Sequence, residues 1–356
     1  MAGPPRVIAR ARTAVRLALT QRLEELADCP AEGLSPRVLV GVSGGADSLA
    51  LLAITAWVAP RMGLEVEAVI IDHALQDGSA SIAERARTQA EQIGCAAQVV
   101  RVQVPEHAPG GVENAAREIR HRILEEHREQ RGALAILLAH TLDDQAEQVL
   151  MGLSRGAGPR ALAGIPRRRG ALLRPFLGTG RSEETALRRA DTEEICRLHH
   201  LQWWQDPMNT DPAYLRARVR HQLMPLLRDV LGDQIDENLA RSADLVRPDV
   251  DYLDREAEIL FEDLRRTATD EGDLLALDVH VLTAVAAPLR TRILRDACRR
   301  AAQEAGTEPD KSLLRRHVLT LEALVISWRG QAAVPVPGRI EVARRDGLLV
   351  WRHSRT

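Results

Sequence analysis

The stretch VLVGVSGGADSLALL, residues 38–52, has a polar interruption between two apolar runs. Residues 38–42 predict a buried strand, and residues 48–59 predict a helix. The glycines between them let backbone N–H groups converge on an anion, and the serines add hydroxyl donors. The start of the helix contributes partial positive charge. The stretch therefore predicts a phosphate cradle made of Ser43, Gly44, Gly45, Ala46, Asp47 and Ser48.

This cradle differs from the common nucleotide-binding loops. It lacks both G-x-x-x-x-G-K-[ST] and G-x-G-x-x-G, and no lysine is near. The carboxylate of Asp47 would repel phosphate, so we expect it to work with Mg²⁺ or with a cationic group. A tight strand–helix turn whose serines cap the helix is the structural alternative.

The same alternation of strand and helix continues to about residue 155. Apolar strands are predicted at 38–42, 66–72, 98–104 and 134–140, and helices at 48–59, 81–94, 112–132 and 143–154. Such repeats predict an α/β fold with a doubly wound parallel sheet. Ligands of these folds bind beyond the C-terminal ends of the strands.

The rest of the chain follows a different pattern. Residues 156–180 show no sustained period, and 182–200 predict a helix. Residues 233–304 are predicted to be mostly helical, with interruptions near Pro248 and at 269–273. A hairpin is predicted around Arg345-Asp346-Gly347. We therefore expect an N-terminal helix region (1–35), a catalytic domain (36–204), a connector (205–232) and a mostly helical C-terminal domain with a terminal β-hairpin (233–356).

Composition limits the class of protein. The 356 residues are 45% hydrophobic but contain no apolar run of 18, so no membrane span is expected. The cysteines Cys29, Cys95, Cys196 and Cys298 form no C-x-x-C pair. This pattern disfavours an iron–sulfur or zinc site built from close pairs, and it offers no disulfide framework. We expect a cytoplasmic protein.

Arginine is concentrated between residues 151 and 190, although the net charge of the chain is only −2. A basic face of this kind suits contact with nucleic-acid phosphates, and it equally suits a solvated surface in an arginine-rich protein. The candidates for RNA contact are Arg155, Arg167, Arg168 and Arg169.

Four segments together resemble one enzyme family. Residues 43–48 match the S-G-G-x-D-S signature of PP-loop ATP pyrophosphatases. Residues 137–166, LLAHTLDDQAEQVLMGLSRGAGPRALAGIP, resemble the long signature of tRNA(Ile)-lysidine synthetases. Segments 113–124 and 205–227 resemble two further motifs of that family. The resemblance covers about residues 36–230 well.

The resemblance implies a carbon–nitrogen ligase that uses ATP and Mg²⁺. It would join free L-lysine to C2 of the wobble cytidine, C34, of tRNA(Ile) with a CAU anticodon, through an adenylated cytidine, releasing AMP and diphosphate. It implies catalytic roles for Asp47, His140, Asp144, Glu147 and Arg117. It implies lysine binding by Asp144 and Glu147 and ATP binding by the cradle, Arg216 and Arg220. Asp47 would act through Mg²⁺.

Two other interpretations stay open at this point. A PP-loop tRNA thiolation enzyme shares the ATP loop, but it would be expected to show paired or catalytic cysteines. A non-catalytic tRNA-binding relative is disfavoured because Asp47, His140, Asp144 and Glu147 are all present. The sequence leaves both a monomer and a homodimer possible.

Overall fold

The computed structural model describes residues 3–28, 33–74, 78–105, 112–156, 158–179, 185–267, 270, 272–307 and 313–354. Its contacts divide the chain into two compact units, Met1–Arg247 and Pro248–Thr356. The predicted boundaries at residues 35, 204 and 232 remain predictions.

The first unit is built on a six-stranded sheet. Its strands are β1 (Ser35–Val42), β2 (Glu65–Asp72), β3 (Ala96–Arg101), β4 (Ala133–Leu137), β5 (Arg168–Arg169) and β6 (Leu172–Leu173). They lie in the order β3-β2-β1-β4-β6-β5, and only the β5–β6 pair is antiparallel. The predicted parallel α/β sheet is confirmed. Because the chain crosses from β3 back to the other side of β1, the strand order reverses between β1 and β4.

Helices accompany this sheet. They are α1 (Arg6–Asp28), α2 (Ala46–Val58), α3 (Ser79–Gln92), α4 (Val112–Arg131), α5 (Leu142–Ser154), α6 (Pro159–Leu162), α7 (Arg189–Leu198), α8 (Leu215–Arg218) and α9 (Met224–Leu231), and α10 (Ile235–Leu264) extends into the second unit. Helix α2 is the most enclosed of the early helices, and its leucines Leu49, Leu51 and Leu52 are fully buried. This burial explains why its sequence is apolar on every side.

Two features of the first unit were not predicted. The irregular stretch 156–180 supplies β5 and β6, whose two-residue length is too short to give a periodic signal. Strand β4 ends at Leu137, not at residue 140, so His140 lies in the loop after the strand. Helix α7 begins at Arg189, and the predicted residues 182–184 lie outside the described part of the chain.

The second unit combines helices with an antiparallel sheet. Its elements are β7 (Arg265–Arg266), β8 (Asp273–Asp278), α11 (Val279–Ala284), α12 (Ala287–Glu304), α13 (Arg315–Ile326), β9 (Val334–Val336), β10 (Ile340–Arg345) and β11 (Leu348–His353). The predicted hairpin is confirmed as β10 and β11, which pair from Arg345 and Leu348 outward. Strand β8 was missed because its partner β11 lies about seventy residues away.

The predicted interruption near Pro248 was wrong, since α10 continues through that proline. A proline inside a helix removes one backbone donor, and tertiary packing can override this preference. Among the described residues, no helix is both long enough and apolar enough to cross a membrane.

Candidate active site

The two segments predicted to carry the site meet where the strand order reverses. Residues 43–45 follow β1, and residues 138–141 follow β4, the strand beside it. Strands β1 and β4 are paired in parallel, for example through Val40 and Leu137. Their carboxyl ends therefore lie side by side, at the place where open α/β sheets bind ligands.

The phosphate cradle has the conformation that its glycines predict. Gly44 has a φ of +81°, and a Cβ there would lie 3.3 Å from Cγ2 of Ile82. The backbone N–H of Ser43 donates to Oγ of Ser48 at 3.1 Å, and that Oγ donates to the carbonyl of Gly45 at 2.9 Å. Within the described stretch 33–74, no side chain caps the start of α2. Its first N–H groups are therefore left for an anion, as the cradle interpretation requires.

Asp47 lies in the first turn of α2 and contacts the first turn of α7. Its Oδ1 accepts a short hydrogen bond from the hydroxyl of Thr192, and its Oδ2 lies 4.0 Å from Nε of Arg189. Burial, with the nearby charge of Asp144 adding to it, raises the pKa of Asp47 to about 6. The side chain keeps 30% of its surface exposed, so a ligand can reach it.

Helix α5 begins with a capping box that fixes Asp144. The backbone N–H and the hydroxyl of Thr141 donate to Oδ2 of Asp144 at 2.8 and 3.0 Å. The N–H of Asp144 donates back to the Thr141 hydroxyl at 3.4 Å. These bonds satisfy donors at the helix end and hold one carboxylate oxygen in place. The other oxygen, Oδ1, faces three arginines.

Asp144 and Glu147 pair with guanidinium groups that come from distant parts of the sequence. Arg220 donates to both oxygens of Glu147, at 2.8 and 3.1 Å, and Arg216 donates to Oε2 at 3.1 Å. Arg189 lies 3.1 Å from Asp144 and 3.4 Å from Glu147. The carboxylate–arginine cluster, as we call it, consists of Asp144, Glu147, Arg189, Arg216 and Arg220.

The electrostatics of this cluster favour the ionised carboxylate. Burial alone opposes ionisation of Asp144, but Arg189 and Arg216 outweigh it and hold its pKa well below the ordinary value. The neighbouring Asp143 accepts a hydrogen bond from the backbone N–H of Arg189 at 2.9 Å, and so fixes the start of α7.

Sequence reasoning missed Arg189 as a site residue. It follows a stretch without clear periodicity and lies more than forty residues from its partners. The signal that was available is its place at the start of a helix, three residues before Thr192, so that both side chains share one helix face. In the structure Thr192 and Arg189 contact Asp47 of the phosphate cradle, and Arg189 also pairs with the carboxylates of α5.

His140 lies in the loop between β4 and α5. Its Nδ1 accepts a hydrogen bond from Nε of Arg174 at 3.2 Å. Burial lowers the pKa of His140 to about 3. Its charged neighbours are Asp144, which opposes this shift, and Arg174, Arg117 and Arg216, which add to it. The imidazole is therefore neutral near pH 7, which makes it a poor proton acceptor at its buried ring.

A second group, of arginines and histidines, includes His140 and its electrostatic neighbours. Burial, followed by the charges of Arg117 and Arg174, lowers the pKa of His121 to about 4. Arg169 on β5 also acts on His121 and on Arg174. We call Arg117, His121, His140, Arg169 and Arg174 the cationic cluster. The structure thus brings predicted residues Arg117 and His140 together, with Arg169 near them.

The four arginines predicted to contact RNA differ in their surroundings. Arg167 pairs with Asp244 and donates to the carbonyl of Gly178, and Arg168 pairs with Glu25. Arg169 belongs to the cationic cluster, and Arg155 is exposed at the end of α5. Two of the four are thus engaged by carboxylates of the protein itself.

The donors near the cradle suit a magnesium ion that arrives with phosphates. Mg²⁺ usually takes one or two protein carboxylates, keeps several waters and binds substrate phosphate oxygens. Asp47 offers one partly exposed carboxylate next to the cradle. Within the described ranges, no cluster of three or more His, Cys, Asp or Glu residues could hold a metal ion by itself. The residues therefore fit Mg²⁺ held jointly with a nucleotide.

Comparison with known proteins agrees with this geometry. A family model described as a PP-loop domain matches residues 17–227. A tRNA(Ile)-lysidine synthase of Thermobifida fusca (strain YX) is 43% identical over 98% of this chain and 99% of the relative. The chain belongs to the tRNA(Ile)-lysidine synthase family. The enzyme of Salinispora arenicola (strain CNS-205) is 45% identical over 98% of this chain and 96% of that protein.

A solved structure supports the fold of this family member. The U34-tRNA thiolase NcsA from Methanococcus maripaludis, with its [4Fe-4S] cluster, superimposes with a TM-score of 0.52. The match covers 68% of this chain and 79% of the thiolase, at 15% identity. At that identity the likeness concerns the fold alone. The PP-loop domain also implies the use of ATP, and the family name implies a tRNA substrate.

Proposed function

We propose that this protein ligates L-lysine to C2 of the wobble cytidine of tRNA(Ile) with a CAU anticodon. One observation supports this most directly: the phosphate cradle and the carboxylates of α5 meet where the strand order of the sheet reverses. The chain that carries them matches lysidine synthases along nearly its full length. Product formation would change codon reading from AUG to AUA.

The first half-reaction transfers AMP to the cytosine. The carbonyl oxygen O2 of C34 attacks the α-phosphorus of ATP, and the bond to the bridging oxygen breaks to release diphosphate. The cradle holds the phosphates through N–H groups and hydroxyls. Mg²⁺, when bound with the nucleotide, neutralises phosphate charge. Asp47 is the residue that would hold it.

The second half-reaction displaces AMP by an amine. A lysine side chain has a reference pKa of about 10.4, so at pH 7 roughly one in 2500 is neutral, a deficit of about 4.6 kcal/mol. The neutral amine attacks C2, and the C2–O2 bond breaks as AMP leaves. Carboxylates that bind the ammonium bring it to the site, and a nearby base removes its proton.

Asp144 and Glu147 are our proposed lysine contacts, with an added constraint. Both carboxylates already pair with Arg189, Arg216 and Arg220. A lysine ammonium that binds here shares their oxygens with these guanidiniums, since an ionised carboxylate can accept several hydrogen bonds.

Arg216 and Arg220 are proposed to act at the same time on AMP. Both donate to Glu147, which fixes their orientation. A guanidinium has five donors, so pairing with a carboxylate leaves others for phosphate oxygens. Arg117, on α4, is proposed to stabilise the phosphoryl charge from the side of the cationic cluster. The CAU loop would present C34 unstacked, since its C2 and O2 must be reached.

The test is incorporation of labelled lysine. Purified protein is incubated with ATP, Mg²⁺, radiolabelled lysine and unmodified tRNA(Ile) with a CAU anticodon. We expect acid-precipitable counts that disappear when C34 is changed to U. If AMP is released without lysine incorporation in the presence of another tRNA or acceptor, that molecule and not tRNA(Ile) is the substrate. Absence of AMP release with every tRNA would indicate a non-catalytic tRNA-binding protein.

A thiolation activity is disfavoured by the cysteines. Cys95, just before β3, Cys196 on α7 and Cys298 on α12 are buried free thiols in separate parts of the described structure. Burial raises the pKa of each of the first two, to about 11 for Cys95 and about 12 for Cys196. Such thiols are poor nucleophiles at neutral pH. A cytoplasmic location and a homodimer remain proposals, and size-exclusion chromatography with light scattering tests the latter.

A further inference from the structure

Arg174 is a buried cation that no carboxylate compensates among the described residues. It follows β6, and only 4% of its surface is exposed. Its NH1 donates to the carbonyl of Pro166 at 2.8 Å, and its Nε donates to Nδ1 of His140 at 3.2 Å. Both partners are neutral. Buried charges in proteins are ordinarily paired, so a guanidinium with this environment requires an explanation.

The neighbours of Arg174 make its position less favourable still. Burial, followed by the positive charges of Arg117, Arg169 and Arg247, lowers the pKa of Arg174 to about 10. Arg290 gives the contrast within the same chain, because it is equally buried but donates twice to Glu322, at 2.8 and 3.0 Å. The buried charge at Arg174 is therefore a cost in the free protein that a role in the reaction can explain.

The contact with His140 has a specific chemical consequence. A guanidinium carries donors only, so the Nδ1 that it contacts must be the unprotonated nitrogen of the imidazole. The ring proton of the neutral histidine is then on Nε2. His140 lies at the edge of the sheet that carries the ATP loop, and Nε2–H is its remaining polar group.

We propose that Arg174 is a positioning residue that fixes His140 in the Nε2–H form, so that His140 donates a hydrogen bond to the oxygen that links C2 of the cytosine to AMP. The inference rests on the proposed function for the identity of that oxygen. The inference goes beyond the proposed function in two ways: it gives Arg174 a positioning role, and it makes His140 a hydrogen-bond donor rather than a base.

The donor role fits the second bond change at that oxygen. In the first step O2 forms its bond to phosphorus with its own lone pair while diphosphate leaves, and a donor there can only orient the base. In the second step the C2–O2 bond breaks and its electron pair leaves with AMP. A hydrogen bond from Nε2 stabilises the leaving oxygen without transferring its proton. The proton released by the lysine amine passes to the carboxylates that bind it, Asp144 and Glu147 in the proposed function, and from there to solvent. The positive charge of Arg174 itself also favours the departing anion.

Nuclear magnetic resonance of ¹⁵N-labelled histidine tests the assignment without any substrate. The His140 signals are identified by their absence in His140→Gln. In the wild type at pH 7.5 we expect an unprotonated Nδ1 and a protonated Nε2. A proton on Nδ1 would overturn the proposal, even if every Arg174 variant failed to fold. Because no substrate is present, this result is independent of lysidine synthesis.

Variants of Arg174 then distinguish a positioning role toward His140 from a purely structural role through its hydrogen bond to the carbonyl of Pro166. In Arg174→Met we expect both tautomers of His140 to appear, and kcat for lysine incorporation to fall about 100-fold with the KM values for ATP and lysine within threefold. Arg174→Lys keeps one charged donor, and we expect it to recover part of the Nε2–H tautomer of His140 and part of kcat. Arg197→Met, at an exposed arginine of α7, is the matched control. An unchanged His140 spectrum in folded Arg174→Met would refute the role.

Discussion

Two groups of charged side chains lie at the same edge of the parallel sheet, and their charges are compensated differently. In the carboxylate–arginine cluster each charge has a partner of opposite sign within 3.5 Å. In the cationic cluster Arg174 contacts a carbonyl and a neutral imidazole, and the pKa of His121 and of His140 is lowered by burial together with neighbouring arginines. The first cluster is thus paired internally, whereas no carboxylate among the described residues pairs with Arg174.

This difference indicates a division of labour. The compensated cluster can hold its geometry before substrates arrive, which suits the positioning of an amine. Arg174, which has no carboxylate partner among the described residues, gains most when phosphate or a leaving oxygen enters, so it favours the charged states of the reaction over the free protein. Each of the following changes tests one side of the contrast.

The largest effect is expected from Glu147→Gln. Its side chain is about 1% exposed and accepts hydrogen bonds from Arg216 and Arg220. Removing one partner of a buried ion pair leaves the others uncompensated, and we expect a loss of about 3–5 kcal/mol in the free energy of unfolding. Urea denaturation measures it. The control is Glu193→Gln, which removes a surface ion pair with Arg197 and should change the free energy of unfolding by less than about 1 kcal/mol. Equal effects of the two changes would contradict the contrast.

Arg189→Ala should reduce lysine incorporation by about 100-fold, because it removes the connection between Asp47 and the carboxylates of α5. Since Arg189 faces both substrates' proposed sites, the KM values for lysine and ATP should both rise. Steady-state kinetics on each substrate measures this, with Arg197→Ala on the same helix as the control. A variant with wild-type kinetics would show that Arg189 serves only to neutralise charge.

The pH dependence of stability should reveal Asp47. Its pKa is raised from an ordinary value near 4 to about 6, so the folded state binds a proton more tightly than the unfolded state. In protein without nucleotide or Mg²⁺, the contribution of Asp47 to stability is therefore present below about pH 4 and is lost as the pH rises to about 6. Denaturation of wild type and Asp47→Asn at several pH values tests this. Parallel curves for the two proteins across that window would refute the raised pKa.

The smallest effect is expected from Arg169→Ala. Arg169 lies among cations, so it can contact an RNA phosphate without breaking a protein ion pair. We expect the affinity for tRNA to weaken and the slope of log K against log salt to fall by about 1. Filter binding at several salt concentrations measures both. Arg168→Ala, whose partner is Glu25, should change the slope less. A larger change of the salt slope for Arg168→Ala than for Arg169→Ala would mean that Arg168, not Arg169, contacts the RNA phosphate.

Local patterns were sufficient for some of this molecule. The strand–glycine–helix pattern at 38–52 predicted β1, the cradle and α2, because these features depend on neighbouring residues. The same is true of the start of α5 and of the hairpin at Asp346 and Gly347. The two-residue strands β5 and β6 could not be predicted, since they are too short to show a period and join the sheet only through the pairing of β6 with the distant β4.

The sequence by itself determined which chemical groups the site contains: a phosphate cradle, an aspartate beside it, and a histidine with two carboxylates after another strand. Only the tertiary structure decided how these groups are paired. It joined Arg189, Arg216 and Arg220 to Asp144 and Glu147, and it placed Arg174 against His140. The physical reason is that spacing within one helix or strand fixes local neighbours, whereas electrostatic partners come together only when separate elements pack around the sheet.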